Sequence, residues 1–129
     1  MNVLLDTHTL LWLVSTPSEV DASALAVISD PNTSVWVSAA SAWEIAIKTR
    51  LGRLDGEALM SGWSDIIAAM STAELPIESS DGILAGRLPW EHNDSFDRVI
   101  VAQALRRNLT IATRDTKISE AALTATLQA

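Results

Sequence analysis

Short apolar runs alternate with helical periodicity along this sequence, and that alternation limits the folds open to it. Asn2 to Leu5 reads as a short buried strand closed by Asp6. Ser34 to Ser38 sets Val35, Trp36 and Val37 together, and Leu109 to Thr113 repeats the pattern two residues before Asp115. Between them lie helical patterns. Leu10, Leu11, Leu13 and Val14 form a run that stops near Ser15-Thr16-Pro17. A second helix is expected over 21–28, before the turn Asp30-Pro31-Asn32. A third, capped by Ser38 or Ser41, should run to about Leu51 and end at Gly52, with Trp43, Ile47 and Leu51 as one apolar stripe. A single helix over 57–70 follows, then a weak strand at Leu75-Pro76-Ile77 and a brief helix capped by Ser79-Ser80-Asp81. The segment 87–93 reads as a loop. Asp94 opens a strong helix that Arg106-Arg107-Asn108 close, and 118–127 holds a short helix and a last strand. Strands alternating with helices pair in parallel through crossovers. The expected fold is therefore α/β, a three-layer α/β/α sandwich around a mostly parallel sheet.

A chain of 129 residues fits one domain, 1–129, with one core. With 48% hydrophobic and 19% charged residues it buries enough surface to need no staple. Cysteine is absent, so disulfides and thiolate metal sites are excluded. No secretory signal is evident, since Val3-Leu4-Leu5 is cut by Asp6, and no apolar stretch has the length to cross a bilayer. These features suit a cytoplasmic protein. A P-loop and a dinucleotide fingerprint are both missing, so nucleotide-driven and hydride chemistry have no support.

The formal charge of −7 argues at first against a polyanionic partner. The alternative is that part of it is concentrated where a divalent cation inverts its sign. In open parallel sheets ligands bind beyond the carboxyl ends of the strands. Asp6 ends the first strand, Asp115 follows the strand 109–113, and Glu44 lies in the first turns of the helix after the second strand. Asp97 joins them if its helix starts at the same rim. Oxygen donors alone point to Mg²⁺ or Mn²⁺ rather than zinc, and such an ion suits phosphate chemistry. Each acid also has a purely structural reading. Glu44 pairs with Lys48 four residues on, and Asp115 caps the helix that follows. Asp94 and Asp97, in the order D-S-F-D, resemble a capping box, with Asp94 as the cap and Asp97 left for the metal. It is their coincidence at one sheet edge that carries weight.

The segments LLDTHTLLWLV (4–14), SAASAWEIAIKTRLGRL (38–54) and HNDSFDRVIVAQALRRNLTIATRD (92–115), with the LPI patch at Pro76, resemble the VapC group of PIN-domain proteins in order and over nearly the whole chain. The resemblance implies that Asp6, Glu44, Asp97 and Asp115 are an acidic quartet holding Mg²⁺ or Mn²⁺. It implies that Thr113 supplies a hydroxyl that helps hold metal-bound water. The implied activity is a metal-dependent endoribonuclease that cuts structured RNA such as tRNA or rRNA. Attack by metal-activated water would leave 5′-phosphate and 3′-hydroxyl ends. The implied partners are a cognate VapB-type antitoxin, the RNA substrate and a second copy in a homodimer. Ser95 departs from the group, which typically has proline there.

Lys48, Arg53, Arg87 and Arg98 are the candidates for RNA phosphate contacts, with Arg50, Arg106 and Arg107 read as equally at home on a solvated helix face. His8 and His92 are expected as hydrogen-bonding supports rather than ligands. The tryptophans are read mostly as core, including Trp90 in its loop. Two other readings remain. A haloacid-dehalogenase-like phosphatase also starts with a strand ending in an aspartate, but its second acid is here His8. A degenerate PIN module would only bind a partner, which the presence of all four acids disfavours.

Overall fold

In the computed structural model, which describes residues 1–129, five parallel strands lie in the order β3-β2-β1-β4-β5. The strands are β1 (Asn2–Leu5), β2 (Ser34–Ser38), β3 (Ala73–Leu75), β4 (Thr110–Thr113) and β5 (Thr126–Gln128). The helices are α1 (Thr7–Ser15), α2 (Ala22–Ser29), α3 (Ala39–Arg50), α4 (Glu57–Ser61), α5 (Trp63–Ala69), α6 (Ser79–Arg87), α7 (Ser95–Arg107) and α8 (Thr116–Ala121).

The side-chain period of two sorts the strand residues between two cores. Val3, Leu5, Val35, Val37 and Ala112 face one layer, with Leu10, Ala24, Ile45, Leu59 and Ile67. Leu4 and Ile111 face the other, with Ile100, Val101, Ala104 and Ile118. Central strands covered on both faces explain why the apolar runs are continuous rather than alternating. The expected α/β/α sandwich is present, and its sheet is wholly parallel.

Four local expectations need correction. The helix expected over 57–70 is two helices that break at Gly62, the residue type with the least intrinsic hold on a helix interior among those present. The weak strand is Ala73–Leu75, not Leu75–Ile77; Pro76, which has no N–H to give a ladder, stands just past its end. Glu78 rather than the serines caps α6, and Asp81 closes the capping box by accepting from the Glu78 N–H at 2.8 Å. The stripe Trp43–Ile47–Leu51 is not core: Trp43 and Leu51 are about half exposed, and α3 instead buries Ala40, Ser41, Glu44 and Ile45.

The sheet order turns outward from the central pair. The chain moves from β1 to β2 and β3 on one side, and β4 and β5 fill the other. The gap beyond the carboxyl ends of β1 and β4 is therefore the topological switch point, where the flanking loops diverge and leave a crevice.

Candidate metal centre

Asp6 follows β1 directly and Asp115 lies two residues past β4, so both stand at that crevice. One narrow cleft of about 80 Å³ is lined by Asp6, Thr7, His8, Glu44, Lys48, Asp94, Asp97 and Asp115. All four acids singled out in the sequence thus border one space, with Asp94 beside them.

Three of these carboxylates sit there because they cap helices. Asp6 Oδ1 accepts from the Thr9 N–H at 2.8 Å, Asp94 Oδ1 from the Asp97 N–H at 3.0 Å, and Asp115 Oδ1 from the Lys117 N–H at 2.9 Å. The starts of α1, α7 and α8 consequently converge on the cleft, and their unpaired N–H groups offset part of the negative charge. The capping and site readings of these acids are therefore compatible: capping occupies one oxygen of each.

Thr113 ties the two strand ends together. Its hydroxyl donates to Asp6 Oδ2 at 2.5 Å and accepts from the Asp115 N–H at 3.0 Å. Thr113 is wholly buried and its single proton is committed to Asp6. It positions Asp6 and the residue Asp115 relative to each other. The Asp6 N–H also bonds to the Ala112 carbonyl at 3.1 Å, extending the β1–β4 pairing by one residue.

Glu44 arrives from α3, whose start is fixed by Ser38: its Oγ accepts from the Ala40 N–H and donates to Gln103 Oε1 at 2.6 Å. Glu44 is buried, and its Oε2 takes the Lys48 ammonium at 2.5 Å. Its Oε1 is buried with no partner. A carboxylate oxygen shut away from water without a hydrogen bond is costly and calls for a cation or a donor.

Asp97 projects from the first turn of α7 and accepts from His92 Nε2 at 2.7 Å, which makes His92 the support expected of it. Burial, helped by the charges of Asp94, Glu44 and Asp115, raises the Asp97 carboxyl to about 6 against the opposing pull of the His92 hydrogen bond. Donor atoms of His92, Asp94 and Asp97 lie within 4.8 Å of one another, a spacing one ion can span. The carboxylates that line the cleft, with no sulfur among them, fit a hard divalent ion, and His92 stands behind Asp97 as its hydrogen-bond partner.

The basic candidates divide. Lys48 lines the cleft but is engaged by Glu44. Arg53 and Arg87 are exposed and do not line it. Arg98 does not line the cleft: its guanidinium donates to the carbonyls of Ala85, Leu88, Trp90 and His92 at 2.7–3.0 Å, so it shapes the loop that carries His92. A wider hollow of about 300 Å³ opens from the cleft between Asp6, His8, Trp12, Arg114 and Asp115. Trp12 and Arg114 were not anticipated from the sequence. The available signals were the four-residue spacing of His8 and Trp12 on one helix face and the position of Arg114 next to Asp115.

The family model of the PIN domain matches residues 3–123. No curated protein sequence matches the chain. Among solved structures, a chain of the Rickettsia felis VapBC2 complex with a promoter DNA fragment superposes with a TM-score of 0.73 at 14% identity, covering 98% of each chain. A chain of VapBC-1 from nontypeable Haemophilus influenzae gives 0.72 at 17% identity, covering 99% of this chain and 98% of that one. A chain of FitAcB from Neisseria gonorrhoeae gives 0.66 at 24% identity, covering 98% and 96%. At these identities the superpositions establish a common fold, and the family match runs through every element of the site. The chain belongs to the PIN-domain family.

Proposed function

We propose that this protein is a divalent-metal-dependent endoribonuclease, the toxin half of a VapBC-type toxin–antitoxin pair. The observation that carries the reading is the meeting of Asp6, Glu44, Asp97 and Asp115 in one narrow cleft at the switch point, with a buried Glu44 oxygen lacking any partner. PIN domains are in general nucleases, and the solved structures it resembles are toxin–antitoxin complexes.

In this reading Asp6, Glu44, Asp97 and Asp115 hold Mg²⁺ or Mn²⁺, with Asp94 and Thr113 as support. Such an ion supplies activation of water and neutralisation of phosphate charge. The rest falls to the chain itself. Thr113 fixes Asp6 and Asp115 relative to each other, and His92 fixes Asp97. The converging starts of α1, α7 and α8 favour an anionic phosphate near the acids. Lys48 is placed to exchange its Glu44 contact for a phosphate oxygen once a cation takes over that carboxylate. A VapB-type antitoxin as inhibitor, a homodimer and cytoplasmic action belong to the same proposal.

The test is incubation of the purified, antitoxin-free protein with total RNA in Mg²⁺ or in chelator, followed by sequencing of new 5′ ends. Discrete metal-dependent cuts that vanish in Asp97→Asn are expected. Cuts that persist in chelator, or in that variant, would refute the assignment.

A further inference from the structure

The hollow beside the acidic cleft has its own construction. Its wall is a stack: the Arg114 guanidinium carbon lies 4.3 Å from the Trp12 ring centroid. The His8 ring stands 5.8 Å from the same indole, tilted by 35°. Arg114 is exposed, yet it is not loose. Its Nη2 donates to the backbone oxygens of Glu19 and Ala129, and its central carbon lies over the Trp12 indole. Such fixation is unusual for an exposed arginine, which ordinarily keeps its rotamer freedom. It leaves a flat, cationic, pre-set surface facing the hollow.

Flat guanidinium planes and aromatic rings are the platforms on which unpaired nucleobases stack. The volume of about 300 Å³ is at the lower end of small-ligand sites, a size for one base rather than a duplex. The exposed His8 imidazole adds a hydrogen-bonding edge at the rim. The hollow shares Asp6, His8 and Asp115 with the cleft, so a ligand bridging both would place its phosphate at the acids and its base on the stack. In a chain of net charge −7, Arg114 is also a cation near the acids whose bonds go to the backbone oxygens of Glu19 and Ala129 rather than to an acidic side chain.

We propose that Arg114, backed by Trp12 and edged by His8, forms a subsite for a single unpaired nucleobase flanking the phosphate that is cut. This deepens the nuclease reading and rests on it for the identity of the neighbouring site. The chain would then select single-stranded or splayed-out positions within a structured RNA, because a base held in a helix cannot reach the platform.

The experiment separates the subsite from the chemistry by reading binding in chelator, where no strand is cut. Fluorescence anisotropy compares a labelled oligoadenylate with an abasic ribose-phosphate strand of the same length. Wild type should prefer the strand with bases by about tenfold, the scale of one base on a side-chain platform. Arg114→Lys keeps the charge and loses the plane. It should lose most of that preference while binding the abasic strand as wild type does, and Trp12→Phe should lose part of it. No base preference in wild type, or the same preference in Arg114→Lys, overturns the subsite. So does a variant that changes only the melting temperature, since the pair would then merely pin the backbone at Glu19 and Ala129. A protein that shows the preference but never cuts RNA in Mg²⁺ sinks the nuclease reading alone. One that cuts without the preference sinks the subsite alone.

Discussion

Asp97 carries its charge in the cleft at an electrostatic cost. Without a cation its carboxyl is raised from 3.8 to about 6 by burial and by three neighbouring acids, against the pull of His92. A folded-state value above the unfolded one means that the favourable contribution is complete below about pH 4 and is lost as pH rises through 6. Metal-free protein should therefore gain stability between pH 7 and pH 5 by about 1.3 kcal/mol if Asp97 acts alone, out of the ~3 kcal/mol present in full once pH is below about 4. Asp97→Asn should flatten that rise, as followed by thermal unfolding in chelator at each pH. An unchanged slope in the variant would place the strain elsewhere. The same linkage makes metal compete with a proton, so divalent affinity should fall below about pH 6. Thr113→Val removes the one proton that ties Asp6 to Asp115. Metal affinity should drop about 10- to 100-fold, the usual cost of losing a group that orients a ligand, with the fold retained by circular dichroism.

At the scale of elements, the start of each site helix was more legible than its neighbours. Ser38, Asp94 and Asp115 read as caps in the sequence and do cap α3, α7 and α8, because capping depends on a local pattern of a short polar residue before a helical run. The strands β1 and β2 were legible because they are central and apolar on both faces, and β4 was placed to within one residue. The break at Gly62 was not, since the apolar spacing of Leu59, Trp63, Ile66 and Ile67 continues across it. The face of α3 was misread for a different reason. Its buried side is a mixture of small and polar residues, Ala40, Ser41 and Glu44, which periodicity of apolar residues cannot find. The contacts of Arg98 were not legible because the four carbonyls it meets, in the end of α6 and the loop just before α7, leave no side-chain pattern in the sequence. That loop contributes the next prediction. Arg98→Met leaves the carbonyls of residues 85–92 without their donor, and should cost about 2–4 kcal/mol in denaturant unfolding with weakened metal binding through His92. A second concerns α3. A Cβ on Gly56 would stand 2.6 Å from Thr49 Oγ1 and 2.7 Å from Ile45 Cγ2, so Gly56→Ala should destabilise by about 1–3 kcal/mol in the same assay. A neutral result would show that Ile45 and Thr49 give way freely.

For the whole molecule, charge is distributed in two opposed ways. Away from the cleft, Asp81 is fully buried between α6 and α7 and meets Arg106 at 2.6 Å and Arg107 at 2.8 Å. Burial there raises its carboxyl, but the hydrogen bonds from Arg107, Glu78 and Arg106 outweigh it and hold the group at about 2. A lowered folded-state value contributes stability above the unfolded range near 4, lost as pH falls from about 4 to 2. Asp81→Asn should remove much of that acid sensitivity. In the cleft five carboxylates share one lysine, one imidazole and a few backbone N–H groups, which leaves an excess of negative charge for a cation to neutralise. The overall −7 is thus one fold with a self-compensated ion cluster on one flank and an uncompensated set at the switch point.

The central claim is that this uncompensated set grips a divalent ion, and titration calorimetry of Mn²⁺ into the metal-free protein at pH 7.5 addresses it directly. Saturable binding that is abolished in Asp97→Asn and much weakened in Asp6→Asn and Glu44→Gln is the expected result. No saturable heat in the wild type, or equal binding in all three variants, would contradict the account.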